Sequence, residues 1–340
     1  MKSGMATETS TPKQLGIIGL GNWGTALANH LAVKGHDVLG WAIEPDIVAG
    51  IESARRNPRF LAQVTLSANL HATNDLSAVL ARPNIVLALP SSALGDMTPR
   101  LLAPPSTLVI SAIKGVDEHS LDTPLQHIEK LHPGRYRLVV ISGPSFARDV
   151  VVQRPCGVVA ASRDSASARE VARIFSSDSM RVFTSSDPLG VEIGGITKNV
   201  IALAVGISDG LELGDSARAG LITRGLAEMM RLAEAMGAER QTLAGLSGLG
   251  DLAMTATCDQ SRNRTVGLRL GRGEALDDII ASLGSVAEGV SSTPLVLALA
   301  KRHGVEMAIT RHVSLLLEGK LTTRELVQSL LALPVRSEFA

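Results

Sequence analysis

A glycine-rich turn near the start of the chain constrains the fold more than any other feature. Gly19, Gly21 and Gly24 lie directly after an apolar run and open an amphipathic segment that continues to Lys34. In a dinucleotide-binding turn, the first glycine permits the tight turn, the second admits the pyrophosphate, and the third lets helix and strand pack closely. The alternative, a glycine-rich turn without a ligand, is disfavoured by this strand-turn-helix setting. The turn therefore predicts a Rossmann-type domain that binds a dinucleotide.

Short runs rich in valine, isoleucine and leucine alternate with longer amphipathic segments over the first half of the chain. This alternation is typical of parallel strands linked by crossover helices. The predicted strands are residues 15–19, 37–41, 84–89, 107–112, 137–142, 156–161 and 180–184. Near Ser186-Asp187-Pro188 the pattern becomes mostly helical. We therefore predict an α/β Rossmann-type parallel-sheet domain over 15–187, an all-α substrate domain over 188–335, and a flexible tail over 1–14.

The end of the second predicted strand bears on the choice of cofactor. Glu44 stands twenty positions after Gly24, where an acid can accept hydrogen bonds from the adenosine ribose hydroxyls. An acid there disfavours the 2′-phosphate of NADP, and no arginine or lysine follows before Arg55. The alternative is a solvated acid ahead of Pro45. We expect NAD as the preferred cofactor, with NADP as the alternative.

The charge and composition of the chain argue against several classes of binding partner. The 33 basic and 33 acidic side chains cancel, and aromatic residues make up only 2% of the chain. A neutral chain with few stacking platforms is not expected to bind nucleic acid or an anionic membrane. Cys156 and Cys258 lie far apart with no cysteine or histidine cluster around them, so we predict neither a disulfide nor a metal site. The polar N-terminus and the lack of an uninterrupted apolar run of membrane-spanning length favour a cytoplasmic protein.

Polar residues beside glycines follow two of the predicted strands. Lys114 follows the fourth strand, in the segment SAIKG, and Gly143 and Ser145 follow the fifth, in SGPSFA. Ligands of open α/β sheets collect at the carboxyl ends of the strands. Either segment alone is compatible with an ordinary turn, but both together favour a ligand site at this edge.

Two further clusters lie in the helical half. Lys198 has small and apolar neighbours, and burial would disfavour its charged form, so that it could exchange a proton near neutral pH. The alternative is a surface lysine that extends its ammonium into water. Asp251 could orient this lysine or balance its charge. The fork of donors on Arg262 suits a phosphate dianion, with Ser261 and Asn263 adding hydrogen bonds, unless the segment is a charged helix start on the surface.

Together these segments resemble the soluble NAD(P)-dependent glycerol-3-phosphate dehydrogenases of the bacterial type. The matching stretches, in the family's order, are GNWGTALA, IKG, SGPSFA, KNVIALAVGISDGLELGDSARAGLITRGLAEM, GLSGLGDL, QSRNR and AEG. The resemblance implies a second domain of the 6-phosphogluconate dehydrogenase C-terminal type and a homodimer. It also implies reversible reduction of dihydroxyacetone phosphate to sn-glycerol 3-phosphate, which supplies glycerophospholipid synthesis.

The resemblance also assigns roles to single residues. Lys198 is the implied proton donor and acceptor at the substrate C2 oxygen, with Asp251 beside it. The implied substrate contacts are Lys114, Gly143, Ser145, Lys198, Asp251, Ser261, Arg262 and Asn263. Besides the glycine turn and Glu44, the implied cofactor contacts are Asn22, Trp23, Lys114, Ala147, Arg262, Val286 and Glu288. Family members often carry a basic residue where Ile43 stands, and this departure adds to the expectation of NAD.

The sequence leaves two other functions open. One is a related two-domain dehydrogenase of a β-hydroxyacid or ketopantoate, whose carboxylate would replace the phosphate. The other is a nucleotide-sensing protein that kept the fold and lost turnover. Arg262 and its neighbours argue against the first function, and Lys198 with Asp251 argues against the second.

Overall fold

An eight-stranded sheet forms the first part of the computed structural model, which describes residues 11–283 and 287–332. The spatial order of its strands is β3-β2-β1-β4-β5-β6-β7-β8. Only β6 and β7 pair antiparallel. The strands are β1 (Gln14–Ile18), β2 (Asp37–Trp41), β3 (Leu70–Thr73), β4 (Asn84–Leu87), β5 (Leu108–Ser111), β6 (Arg137–Ser142), β7 (Cys156–Ala161) and β8 (Met180–Ser185).

The predicted Rossmann-type architecture is confirmed, with two differences. The short edge strand β3 was not predicted, because only Leu70 and Ala72 of its four residues are buried and no apolar run marks it. The sheet is mainly parallel, as predicted, and the exception is the pairing of β7 with β6. A parallel crossover usually needs a full helix, whereas the connection from β6 to β7 contains only the short helix Ala147–Val151, and the chain returns antiparallel beside β6.

Helices cover both faces of the sheet. The side chains of Ile17 and Ile18 enter different core clusters and both are fully buried, as expected for a strand covered on two faces. The helices of this part are α1 (Asn22–Val33), α2 (Pro45–Ala54), α3 (Leu76–Leu80), α4 (Leu94–Met97), α5 (Pro124–Leu131), α6 (Ala147–Val151) and α7 (Ser165–Phe175).

The second part is helical, as predicted, and is built around one long buried helix. Among the residues described, only α8 has the length and hydropathy of a membrane span, and its most apolar stretch is entirely covered by protein. It is therefore the core helix of this part. The helices are α8 (Pro188–Gly210), α9 (Asp215–Ala235), α10 (Asp251–Thr257), α11 (Arg262–Gly271), α12 (Leu276–Leu283), α13 (Glu288–Arg302), α14 (Ala308–Leu317) and α15 (Thr323–Leu331).

Glycines let α11 pack directly on the backbone of α8. A Cβ atom on Gly206 of α8 would lie 2.2 Å from Arg264 O, and one on Gly267 of α11 would lie 2.1 Å from Leu203 O. No side chain fits at such distances, so the two helices touch through their backbones. This contact places the first turn of α11, with Arg262, beside the part of α8 that follows Lys198.

Candidate active site

The turn between β1 and α1 has the backbone that the glycine pattern predicts. Gly19 adopts φ +101°, and a Cβ there would lie 2.7 Å from Ala88 O. A Cβ on Gly24 would lie 1.8 Å from Gly19 O, whereas one on Gly21 would have no atom within 4 Å. The first and third glycines are therefore required by the turn and its packing. The second leaves an open approach to the backbone.

The N-terminus of α1 presents donors at this open approach. The helix begins at Asn22 after Gly21, and no side chain caps it. The amides of the first turn therefore remain available to an anion. The indole Nε1 of Trp23 is buried and has no hydrogen-bond partner within the described ranges. Ala147 begins α6, which packs against α1. These features fit the pyrophosphate of a dinucleotide.

The end of β2 lies next to this turn because β1 and β2 pair in parallel. Glu44 precedes α2, is half-buried and forms no capping hydrogen bond, and Ile43 is 73% exposed. Arg59 reaches the same region and binds both carboxylate oxygens of Asp46, at 2.7 and 2.8 Å. The hydrogen bonds that Arg59 donates to the Asp46 carboxylate raise the pKa of Arg59, and the negative charge of nearby Glu44 adds to this effect. The end of β2 thus presents two acids and one guanidinium that is already bound by Asp46.

A buried cluster of two lysines and one aspartate joins the two parts of the molecule. Lys114, which follows β5, donates to Asp251 Oδ2 at 2.6 Å. Lys198, on α8, donates to Asp251 Oδ1 and, at 3.0 Å, to Thr255 Oγ1. The side chain of Asp251 is fully buried, and that of Lys198 is 7% exposed. Because burial excludes water, these charges interact strongly with one another and with any ligand beside them.

The cluster shifts the pKa of each of its members. Burial lowers the pKa of Lys198 to about 8, and the charge of Lys114 adds to this effect, although Asp251 opposes it. For Lys114, burial again lowers the pKa, but Asp251 outweighs burial and the net pKa is raised. The pKa of Asp251 is lowered, because the two lysines together outweigh its burial. Lys198 is therefore the member that can exchange a proton near neutral pH.

A π-helical turn positions Asp251. The segment Leu246–Gly250 forms this turn immediately before α10, and Asp251 is the first residue of the helix. A Cβ on Gly194 of α8 would lie 2.4 Å from Ser247 O. The glycine thus allows the turn to approach the backbone of α8. Irregular helical turns of this kind occur frequently at functional sites.

The segment Ser261–Asn263 forms the N-terminus of α11, so it is a helix start, and two of its three residues are buried. Ser261 caps α11 by accepting a hydrogen bond from Arg264 N at 3.2 Å. Asn263 is 8% exposed, and its Oδ1 accepts a hydrogen bond from Gly289 N at 2.8 Å. Arg262 is exposed on the first turn of the helix. The amides of this turn and the guanidinium form a favourable environment for a phosphate group.

The first turn of α13 links this segment to the lysine cluster. Glu288 Oε2 accepts a hydrogen bond from Asn199 Nδ2 at 3.2 Å, next to Lys198 on α8. The predicted cofactor residue Glu288 thus lies between the two predicted substrate clusters. Val286, the other predicted cofactor residue of this region, lies outside the described residues.

The turn after β6 carries the predicted substrate residues Gly143 and Ser145. Gly143 has φ +150°, and a Cβ there would lie 2.9 Å from Val158 Cα. The Oγ of Ser145 donates to Gly143 O at 3.0 Å, within its own turn. The neighbouring Ser142 is buried instead, and its Oγ has no partner among the described residues.

Several residues of the site could not be assigned to it from the sequence. Thr255 lies one helical turn after Asp251, and that spacing was its only signal. Asn199 follows Lys198 directly, and its pairing with Glu288 depends on the packing of two distant helices. Arg59 reaches Asp46 through a loop whose path the sequence does not reveal.

Glu192 holds the segment that carries Lys114 against α8. Its buried carboxylate accepts hydrogen bonds from Thr123 Oγ1 at 2.7 Å and from Leu125 N at 2.9 Å, at the start of α5. Burial raises the pKa of Glu192 to about 7, although both hydrogen bonds act in the opposite direction. Because Lys114 lies in the connection that leads from β5 to α5 and Lys198 lies on α8, Glu192 helps to fix their relative position.

Replacing Glu192 by glutamine should remove a pH dependence of the stability. The folded-state pKa of about 7 lies above the unfolded value. The carboxyl group therefore stabilises the fold most below its unfolded pKa, and this contribution is lost as the pH rises through the folded pKa. Between about pH 5 and about pH 7.5, the melting temperature of the wild type should fall relative to that of Glu192→Gln. Thermal unfolding of both proteins measures this difference, with Glu129→Gln, an exposed carboxyl on α5, as the control. Parallel curves for the wild type and Glu192→Gln would contradict the prediction.

The fold and the site together define a class: a two-domain, dinucleotide-dependent dehydrogenase with a helical second domain. Residues 14–168 match the family model described as the NAD-dependent glycerol-3-phosphate dehydrogenase N-terminus, and residues 187–328 match the model of its C-terminus. The chain belongs to the NAD-dependent glycerol-3-phosphate dehydrogenase family, as its resemblance to that family predicted.

Individual relatives agree with this membership. The glycerol-3-phosphate dehydrogenase [NAD(P)+] of Geobacter metallireducens is 46% identical, covering 96% of this chain and 99% of the relative. The enzyme of the same name from Geobacter sulfurreducens is 45% identical over the same shares. The crystal structure of glycerol-3-phosphate dehydrogenase from Coxiella burnetii superposes with a TM-score of 0.90 at 38% identity, covering 94% of this chain and 99% of that one.

Proposed function

We propose that this chain catalyses the reversible NAD(P)H-dependent reduction of dihydroxyacetone phosphate to sn-glycerol 3-phosphate. The observation that carries the proposal is the buried Lys114–Asp251–Lys198 cluster. Lys114 lies at the same carboxyl edge of the sheet as the dinucleotide turn, and Lys198 lies on the core helix of the second domain. Residues 15–187 then form the cofactor domain, and residues 188–335 the substrate domain.

The phosphate of the substrate binds at the start of α11 in this proposal. Arg262 supplies a guanidinium, the first-turn amides supply the positive end of the helix dipole, and Asn263 adds its side-chain amide. Binding a remote dianion anchors the substrate, so that the reacting carbon is held beside Lys198.

Lys198 moves the proton at the C2 oxygen. When the cofactor is bound, its nicotinamide supplies or accepts the hydride at C2. In the direction of reduction, the Lys198 ammonium donates its proton to the oxygen as the alcohol forms. Burial lowers the pKa of this lysine to about 8, which makes the neutral amine accessible at the end of the step. Asp251 balances the charge, and Thr255 orients the amine through its hydroxyl at 3.0 Å.

An assay of substrate classes tests the proposed function. Purified protein should oxidise NADH with dihydroxyacetone phosphate and show little turnover with ketopantoate or with the oxo forms of β-hydroxyacids. Those acids carry a carboxylate in place of the phosphate that the α11 site would bind. Turnover only with the acids would contradict the proposal. Binding of NADH without turnover of any of these substrates would support a sensor instead.

The cofactor preference can be tested at the end of β2. Glu44 and Asp46 place negative charge where a 2′-phosphate would lie, and Arg59 is already bound by Asp46, so we infer that NADH is preferred. Ile43→Arg combined with Glu44→Ala should shift the ratio of kcat/KM values toward NADPH by about 10-fold to 100-fold, because it replaces repulsion by a charge-assisted hydrogen bond. Kinetics with both cofactors measure the shift, and Ile43→Gln is the uncharged control. A clear NADPH preference in the wild type would refute the inference.

The resemblance supports two further parts of the proposal. We propose a homodimer located in the cytoplasm, where its product supplies glycerophospholipid synthesis. Light scattering of the purified protein measures the mass in solution, and a monomer at assay concentrations would contradict the dimer.

A further inference from the structure

A buried serine hydroxyl at the end of β6 remains without a partner beside the lysine cluster. Ser142 is 5% exposed, and its Oγ has no hydrogen-bond partner within residues 11–283 and 287–332. Buried hydroxyls are normally hydrogen-bonded, because leaving one unpaired costs free energy. A buried orphan hydroxyl at a ligand-binding edge of the sheet therefore points to a ligand atom as its partner.

Ser142 and the stem of Lys114 both lie against α8 at Gly195. A Cβ built on Gly195 would lie 3.4 Å from Ser142 Oγ and 3.4 Å from Lys114 Cγ. Gly195 and Lys198 are three positions apart on α8, so they share one face of the helix. Because Gly195 has no side chain, the serine hydroxyl and the stem of Lys114 both approach the backbone of α8 closely at this position.

The polar groups along this face of α8 follow the order of the polar groups in a triose phosphate. Gly195, with Ser142 beside it, lies at one end and Lys198 follows it. Asn199, which contacts the first turn of α13 near Asn263, lies at the other end. One helical turn spans roughly 5.4 Å, which is comparable to the length of a three-carbon backbone. With the phosphate at the α11 end and the C2 oxygen at Lys198, the remaining substrate group is the C1 hydroxyl.

We propose that Ser142, beside Gly195 on α8, binds the C1 hydroxyl of the substrate. This inference rests on the proposed function and adds a specificity determinant to it: Ser142 makes the enzyme select a hydroxymethyl ketone over a methyl ketone. A site built to hydrogen-bond a hydroxyl discriminates against an analogue that lacks it, because the buried polar group of the protein then stays unpaired.

The test compares two substrates in two enzymes. Hydroxyacetone phosphate has the carbonyl and the phosphate of dihydroxyacetone phosphate but a methyl group in place of the C1 hydroxymethyl. The wild type should use dihydroxyacetone phosphate with a kcat/KM about 10-fold to 100-fold higher than that for the analogue. In Ser142→Ala the kcat/KM for dihydroxyacetone phosphate should fall to near the value for the analogue, and that for the analogue should hardly change. The matched control is Ser208→Ala: Ser208 lies on α8 away from this site, and its buried hydroxyl likewise has no partner among the described residues.

The outcomes separate this inference from the proposed function. If the wild type uses both ketones equally, or if Ser142→Ala lowers kcat/KM for both by the same factor, Ser142 does not bind the C1 hydroxyl. If Ser142→Ala is inactive because it does not fold, Ser142→Thr, which keeps the hydroxyl, should retain the discrimination, and its loss there would also overturn the inference. If the wild type reduces neither ketone, the proposed function itself fails.

Discussion

Lys198→Met is expected to abolish most of the turnover while leaving cofactor binding intact. The methionine keeps the length of the buried stem but removes the ammonium that donates a proton to the C2 oxygen. Losing a positioned general acid costs about a hundredfold to ten-thousandfold in kcat. Asp251 keeps Lys114 as its partner at 2.6 Å, so no buried carboxylate is left uncompensated. Steady-state kinetics and NADH fluorescence titration measure the two effects.

The pH profile separates a proton-transfer role from a structural one. Because the pKa of Lys198 is lowered to about 8, the wild-type rate of glycerol 3-phosphate oxidation, which needs the neutral amine, should rise with pH through this value. Reduction should fall over the same range. Lys198→Met should lose both pH dependences. Lys301 is an exposed lysine on α13, and Lys301→Met should keep them. A kcat in Lys198→Met within a few-fold of the wild type would refute the proton-transfer role.

Arg262→Ala is expected to weaken the binding of phosphorylated substrates selectively. A hydrogen bond to a charged group contributes about 1.5–3 kcal/mol, which corresponds to roughly a 10-fold to 150-fold loss in kcat/KM. Dihydroxyacetone lacks the phosphate and should already be a poor substrate of the wild type. Its kcat/KM should fall no further in Arg262→Ala, because the contact that the variant removes is never formed with it. Kinetics with both ketones at saturating NADH measure this difference.

Two additional variants define the control for this prediction. Arg272→Ala removes a guanidinium at the opposite end of α11 and should leave both substrates unaffected. Arg262→Lys keeps the charge but cannot form a bidentate hydrogen bond, so an intermediate loss in kcat/KM for dihydroxyacetone phosphate is expected. Equal losses for dihydroxyacetone phosphate and dihydroxyacetone in Arg262→Ala would show that Arg262 does not contact the phosphate.

The sequence predicted the strands of the first domain more accurately than it predicted the contacts within the site. The glycines of the turn and seven of the eight strands follow from local patterns, because the apolar runs that are buried in the sheet are visible in the sequence itself. Strand β3 (Leu70–Thr73) has no such apolar run. The antiparallel direction of β7 depends on the shortness of the helix that connects it to β6. Strand 156–161 was predicted with its observed bounds, but its direction was not.

What the sequence determined by itself was a dinucleotide turn, a change from sheet to helices, and a set of polar residues that resembles one dehydrogenase family. Each of these depends on neighbours in the chain or on a recognisable motif. Only the tertiary structure decided that Asp251 binds both Lys114 and Lys198, that Asp46 binds Arg59, and that Ser142 faces Gly195. These contacts join segments that are distant in sequence. Their geometry is set by backbone packing at glycines and by the burial of charge, and neither can be read from local spacing.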